Sequence, residues 1–160
     1  LEVLYQSMSS PDPSWRWIAP HALVFDGFRW HARAHCDRSG EFKDFVLSRI
    51  GETRASKVSE GTDSRDRDWL SDIDLVIAPH PELSVGQRKA IELDYAMEGG
   101  RATIPVKRAL LYYALKRLGL DTDPSARRPQ DQQIVLLNAD AISSAMRAET
   151  SAQTHGAQDA

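Results

Sequence analysis

Within residues 14–50, apolar and cationic side chains alternate with the two-residue period of a β-strand. Phe28, Trp30, Ala32, Ala34 and Cys36 fall on one side, and Arg29, His31, Arg33 and His35 on the other. The pattern predicts one face turned to a core and one bearing only Arg and His, whose N–H donors suit phosphate, carboxylate or base edges. The same alternation also describes the solvated face of an ordinary antiparallel sheet. Residues 22–25, the Asp26-Gly27 pair and residues 28–36 predict a hairpin closed by a type I′ turn, because Asp-Gly tolerates the positive φ values that turn requires. A second turn over residues 37–40 leads to a third strand over 42–50, and residues 15–18 offer a fourth. Such strands predict a small twisted sheet or an SH3-like barrel. Residues 51–69 are charged and poor in apolar side chains, as a linker is.

Beyond the linker the rhythm changes. Residues 72–78 form a short apolar strand, and Ser84 with Gln87 makes a capping-box pattern that opens a helix reaching about residue 96. Gly99 and Gly100 break it. Residues 102–106 then read as a strand, 107–118 as a helix closed by Gly119, and 132–137 as a last strand. Strand, helix, strand, helix, strand predicts a two-layer α/β unit with its helices on one face. Leu110, Leu111, Tyr112 and Tyr113 crowd the second helix with apolar surface suited to a partner subunit. The tail is rich in Ala, Ser, Thr and Gln, with a short helix possible over 141–149.

Composition narrows the reading. The chain has 160 residues, 41% of them apolar, enough for one domain or two small ones. A net charge of -3 places any nucleic-acid contact on a local basic patch rather than on the whole surface. The single cysteine, Cys36, excludes an intrachain disulfide and a Cys-rich zinc site, reads as a small buried hydrophobe, and fits a reducing cytoplasm. No run is long and apolar enough to span a bilayer, and no signal-peptide pattern is present, so a cytoplasmic location is expected. The opening LEVLYQS resembles the remnant of an engineered protease-cleavage linker, and residues 1–7 are therefore set outside the fold.

The segments RWIAPHALVFDGFRWHARAHC, FKDFVLSRI, LVIAPHPELSVGQRKAIELDYAMEGG and VKRALLYYALKRLGLD resemble the WYL domain and the C-terminal extension that follows it in bacterial transcription regulators. PHALV and GFRWH are most similar to the CapW and BrxR type found beside anti-phage defence operons. The resemblance implies an α+β chain: an SH3-like or Sm-like small β-barrel over 8–58, a linker over 59–70, an α/β extension that dimerises over 71–140, and a tail over 141–160. It also implies a winged helix-turn-helix, through which operator DNA would be bound and which these residues lack. The triad that names the domain stands here as Trp30, His31 and Ala32, a departure at two of three positions that leaves a polar, titratable side chain where tyrosine is usual. By resemblance the ligand surface gathers Arg16, His21, His31, Arg33, Lys43 and Arg49 around a nucleotide or short nucleic acid. Only the His31 and Arg33 pair is reached from the residues themselves. Lys43 has an ordinary alternative in pairing with Glu41 or Asp44, Arg49 in snorkelling at a strand end, and Trp30 shares the parity of core residues. On this reading Arg33→Glu abolishes binding and leaves folding intact.

Other chemistries fit less well. GTDSRDRDWLSDIDLVI, residues 61–77, has Asp72 and Asp74 at the spacing of a two-metal nucleotidyltransferase, but Thr62 stands in place of serine, the spacing is one short, and no third carboxylate follows on another strand. No nucleophile elbow or Cys-His arrangement places a catalytic triad. His31 and His35 have no further ligand at zinc spacing. The expectation is a non-enzymatic homodimer without metal or cofactor, its alternative a pure assembly module.

Overall fold

The computed structural model describes residues 1–59 and 63–146 and divides the chain into two units, one ending at Arg67 and the other beginning at Asp68. The first is a five-stranded antiparallel sheet ordered β4-β3-β2-β1-β5. Its strands are β1 (Glu2–Tyr5), β2 (Ser14–Phe25), β3 (Trp30–Cys36), β4 (Glu41–Val46) and β5 (Ile50–Ala55), with a 3₁₀ turn (Leu47–Arg49) between the last two. Residues directly opposite in an antiparallel pair share a face. Val3 opposite Arg16, Ile18 opposite Cys36 and Ala32 opposite Phe45 thus define one face, and Val3, Tyr5, Ile18, Ala34, Cys36 and Phe45 form its core.

Four expectations for this unit are corrected. Residues 1–7 are not outside the fold: β1 lies between β2 and β5, and Val3 and Tyr5 are core residues. Alternation in EVLY places Val3 and Tyr5 on the apolar face, which is what the sheet buries. The hairpin turn is a four-residue loop, because Asp26 Oδ1 accepts from the N–H groups of Phe28 (2.8 Å) and Arg29 (2.7 Å), while Asp26 N–H donates to the Arg29 carbonyl (3.1 Å). The strand therefore starts at Trp30, leaving Phe28 93% and Trp30 52% exposed rather than in the core. Third, residue 50 does not end the strand over 42–50, and residues 51–55, linker-like in composition, continue from it as β5, while β4 stops at Val46. Their pattern is almost wholly exposed because β5 is an edge, held by pairing with β1 and by Arg54, which stacks 4.0 Å from the Trp15 ring and bonds Glu2 at 2.7 Å. The expected closed barrel is not seen: β4 and β5 are the ends of the sheet order among the described residues.

The second unit follows the anticipated order. It comprises β6 (Asp72–Pro79), α2 (Val85–Asp94), β7 (Ala102–Lys107), α3 (Leu111–Leu118) and β8 (Ile134–Leu136), after a single helical turn α1 (Arg67–Leu70) at the boundary. Its sheet is antiparallel in the order β7-β6-β8. Both halves of the capping box form, Ser84 Oγ accepting from Gln87 N–H and the Gln87 side chain accepting from Ser84 N–H. Gly119 ends α3 at φ 68°, in the left-handed region. Alternate residues of β6 supply the core: Leu75 packs with Leu111, Leu115 and Ile142, and Ile77 with Leu83, Ile91 and Ile134. Of the four crowded residues of the second helix, Leu111 is fully buried and Tyr112 is 50% exposed. A last helix spans 139–146, and the rest of the helix expected there, like Gly61 and Thr62, lies outside the described residues.

Candidate functional site

The face of β3 that carries His31 and Arg33 is not open to solvent: His31 is 2% and Arg33 7% exposed. β3 lies between β2 and β4, and Arg33 stands opposite Ala22 on one and Asp44 on the other. A guanidinium removed from water needs anionic partners. Arg33 has two. Its Nε–H and Nη2–H donate to the two carboxylate oxygens of Asp66 at 2.7 and 3.0 Å, and Nη1–H donates to Asp44 at 3.3 Å. Burial works against the charge, but Asp66 and Asp44 outweigh it and hold the Arg33 pKa above its ordinary value.

His21 completes the cluster. The pairing of β2 with β3 shifts register between Pro20 and Ala22, so His21 is the extra residue of a bulge, a device that re-aims a side chain. Because both oxygens of Asp66 already accept from Arg33, His21 Nε2–H donates to Oδ2, at 3.0 Å. Phe42 meets the rings of His21 at 5.7 Å and His35 at 5.2 Å, edge to face in both cases. His31, two residues along the same face, donates to Asp26 Oδ2 at 2.8 Å.

Burial pushes the Asp26 carboxyl up, but the bonds from His31, the backbone of Arg29 and Phe28, and the Arg29 guanidinium together hold it far below its ordinary 3.8. A carboxyl depressed on folding stabilises the native state above its unfolded pKa, and that contribution is lost as pH falls through the folded value. The stability of the first unit is therefore expected to decline below about pH 4, the ordinary carboxylate range. Asp26→Asn, which keeps the loop-closing acceptor, should flatten this acid limb in urea midpoints measured against pH. Identical profiles for parent and variant would show that another group sets the limb.

The remaining anticipated ligand residues are elsewhere. Lys43 pairs with Ala34 and Arg16 with Val3, so both lie on the core side of the sheet, away from Arg33. Lys43 bonds Glu41 at 2.8 Å, the ordinary surface pairing, while Arg16 sits 5.7 Å from the Tyr5 ring. Arg49 is in the 3₁₀ turn after β4. The expected six-residue surface is thus not assembled; His21 and Arg33 share a partner and His31 flanks them. Asp66, which sequence reasoning assigned to the linker, is 1% exposed and is the hub. Its only signal was that a central-strand arginine must find a carboxylate somewhere.

In the second unit Asp72 bonds Lys107 at 3.1 Å and Asp74 is exposed. Among the described residues no group of three or more His, Cys, Asp or Glu side chains is arranged to hold a metal ion. No helix among them is long and apolar enough to cross a membrane.

Residues 1–55 match the WYL domain family, and residues 72–142 match the family described as BrxR transcriptional regulator, C-terminal dimerization domain. The chain is a WYL domain joined to a BrxR-type dimerization domain. The WYL match begins at residue 1, in keeping with β1 being part of the sheet. The chain is also similar to proteins named DNA-binding transcriptional repressor CapW: 43% identical over 144 residues to that of Pseudomonas aeruginosa, and 42% over 142 residues to that of Escherichia coli. Each alignment covers 89% of this chain and 48% of the relative. A third, from Stenotrophomonas maltophilia, is 34% identical over 97% of this chain and 52% of its own length. The chain therefore spans about half the length of the curated relatives it matches. Among solved structures, proteasome accessory factor B/C of Arthrobacter aurescens aligns at TM-score 0.37 and 15% identity, covering 99% of this chain and 25% of its own.

Proposed function

We propose that the chain is the sensing and dimerising part of a bacterial transcriptional repressor of a phage-defence operon, with no enzymatic activity of its own. The names of its relatives support repression, and a cytoplasmic site of action follows from that role. The dimerization-domain match supports a homodimer, with operator DNA read by a winged helix-turn-helix outside these residues. The strand order of the first unit, with a 3₁₀ turn between β4 and β5, supports reading it as an SH3-like barrel opened between those strands. In the second unit, Leu75 packing with α3 and Ile77 with α2 from one side of β6 supports a two-layer α/β arrangement.

The WYL domain then senses an anionic, nucleotide-derived ligand: a short single-stranded nucleic acid, or a modified or cyclic nucleotide. One observation carries this reading, the bidentate seat of Asp66 on Arg33. A phosphate presents the same paired oxygens to a guanidinium fork as a carboxylate does, so it can replace Asp66 there. His21 and His31 are placed to bond a base or sugar, while Arg16, Lys43 and Arg49 take no part at this centre. Replacement of Asp66 frees the residues that lead directly into the dimerization domain, and a ligand that prefers that freed state shifts the equilibrium towards it.

The test is the melting temperature of the chain with cyclic dinucleotides, mononucleotides and short DNA and RNA oligomers, beside the Arg33→Gln/Asp66→Asn double variant. A ligand specific to the native state at 100 times its Kd adds about 2.7 kcal/mol of stability, and the rise should be absent in the variant. No rise with any compound, in a chain that is dimeric by light scattering, would instead favour a pure assembly module. The full pairing of Arg33 with its own carboxylates is the observation that favours that second reading.

A further inference from the structure

We infer that the dimerization domain holds a second ligand site, for a neutral or cationic amphiphile with an apolar body and one hydrogen-bond donor. The inference stands independently of the anion proposed for the WYL domain. A cleft of about 710 Å³ opens beside α3, walled by Leu115, Leu120, Leu136 and Ile142. That volume lies within the range of small-molecule sites, and the wall is apolar where such ligands place most of their surface. Gln132 also lines it and is 3% exposed. Its Nε2–H donates to the Ile134 carbonyl at 3.1 Å, which fixes which end of the amide is the oxygen, and Oε1 is then buried with no partner. A buried acceptor left unpaired is a cost in a native fold, and since Oε1 is itself covered, a shift of the Gln132 side chain towards the cleft lets a donor on a bound molecule relieve it.

The rim decides the charge. Lys116 approaches Asp121 at 3.5 Å, and Asp123 lies beyond it. Two carboxylates against one ammonium disfavour an anion, and this separates the cleft chemically from the Arg33 centre.

The experiment is NMR titration of the full chain with four eight-carbon probes: 1-octanol, octylamine, octanoate and methyl octyl ether. The expected result is saturable shifts of the Gln132 side-chain amide and the Leu120 and Ile142 amides. Octanol and octylamine should bind at least tenfold more tightly than octanoate and the ether, and Gln132→Leu should erase the preference for octanol over ether. Should that variant fail to fold, Ser143→Trp, at an exposed lining position, should block all four probes. Equal binding of octanol and ether by the parent would overturn the proposal and leave a plain apolar groove. Lining signals that ignore the probes but shift with protein concentration would overturn it in favour of a second copy seated in the cleft.

Discussion

Asp66→Ala is expected to destabilise the WYL domain by about 3 kcal/mol, the lower end of the cost of breaking a buried ion pair, because Asp44 remains beside the guanidinium. The loss follows from position. Arg33 is held between two strands, 7% exposed, and of its two carboxylates Asp66 takes two bonds and Asp44 one longer bond. Removing Asp66 also strips His21 of an acceptor. Replacing both ends of the main pair, Arg33→Leu with Asp66→Leu, removes the orphaned charges together and should cost less than either single change. Urea unfolding followed by circular dichroism measures all three, and a single variant within 1 kcal/mol of the parent would mean that Arg33 has a way out to water. The same geometry corrects the expectation for Arg33→Glu. That change sets a third carboxylate against Asp66 and Asp44, so it unfolds the domain rather than testing binding alone.

Val3→Asp should have a comparable or larger effect. Val3 is 1% exposed in the first core, in a strand that is the sole partner of β5 among the described residues. A carboxylate there is buried in an apolar core with Arg16, opposite on β2, as its cross-strand neighbour, and its desolvation costs several kcal/mol whether it pairs or protonates. Expected is loss of the amide dispersion of residues 1–67 in a heteronuclear NMR spectrum, while the dimerization domain, which has its own cores, keeps its signals. A fully dispersed spectrum would show that residues 1–7 can detach without consequence.

The second unit was legible because its signals are local. Ser84 and Gln87 are three residues apart, Gly119 needs only its own φ, and the apolar run of β6 is continuous. In the first unit the hairpins were legible but the burial was not. A two-residue period says that Arg33 and Ala34 face opposite ways, and it cannot say that both faces are covered. Asp66 is 33 residues from Arg33 in a run of charges where no aspartate stands out, so only the folded chain distinguishes it. β5 is hard to read because an edge strand whose side chains are almost wholly exposed has little apolar sequence to display. β1 is masked by the likeness of LEVLYQS to a cleavage linker, although EVLY alternates as a strand does.

The position of β1 also sets an order of events in folding. The pairings β2–β3 and β3–β4 each close over short loops, whereas β1 meets β5 by bringing Glu2 to Ala55 across the length of the domain. Contacts this distant along the chain are slow to form, because loop closure costs entropy before any contact repays it. β5 is therefore the last strand to dock, and until it does β1 presents an unpaired edge. A nascent or partly denatured chain can lend its own β5 to a neighbour's β1 at that stage, so refolding at high concentration is expected to yield strand-exchanged oligomers that dilute refolding avoids.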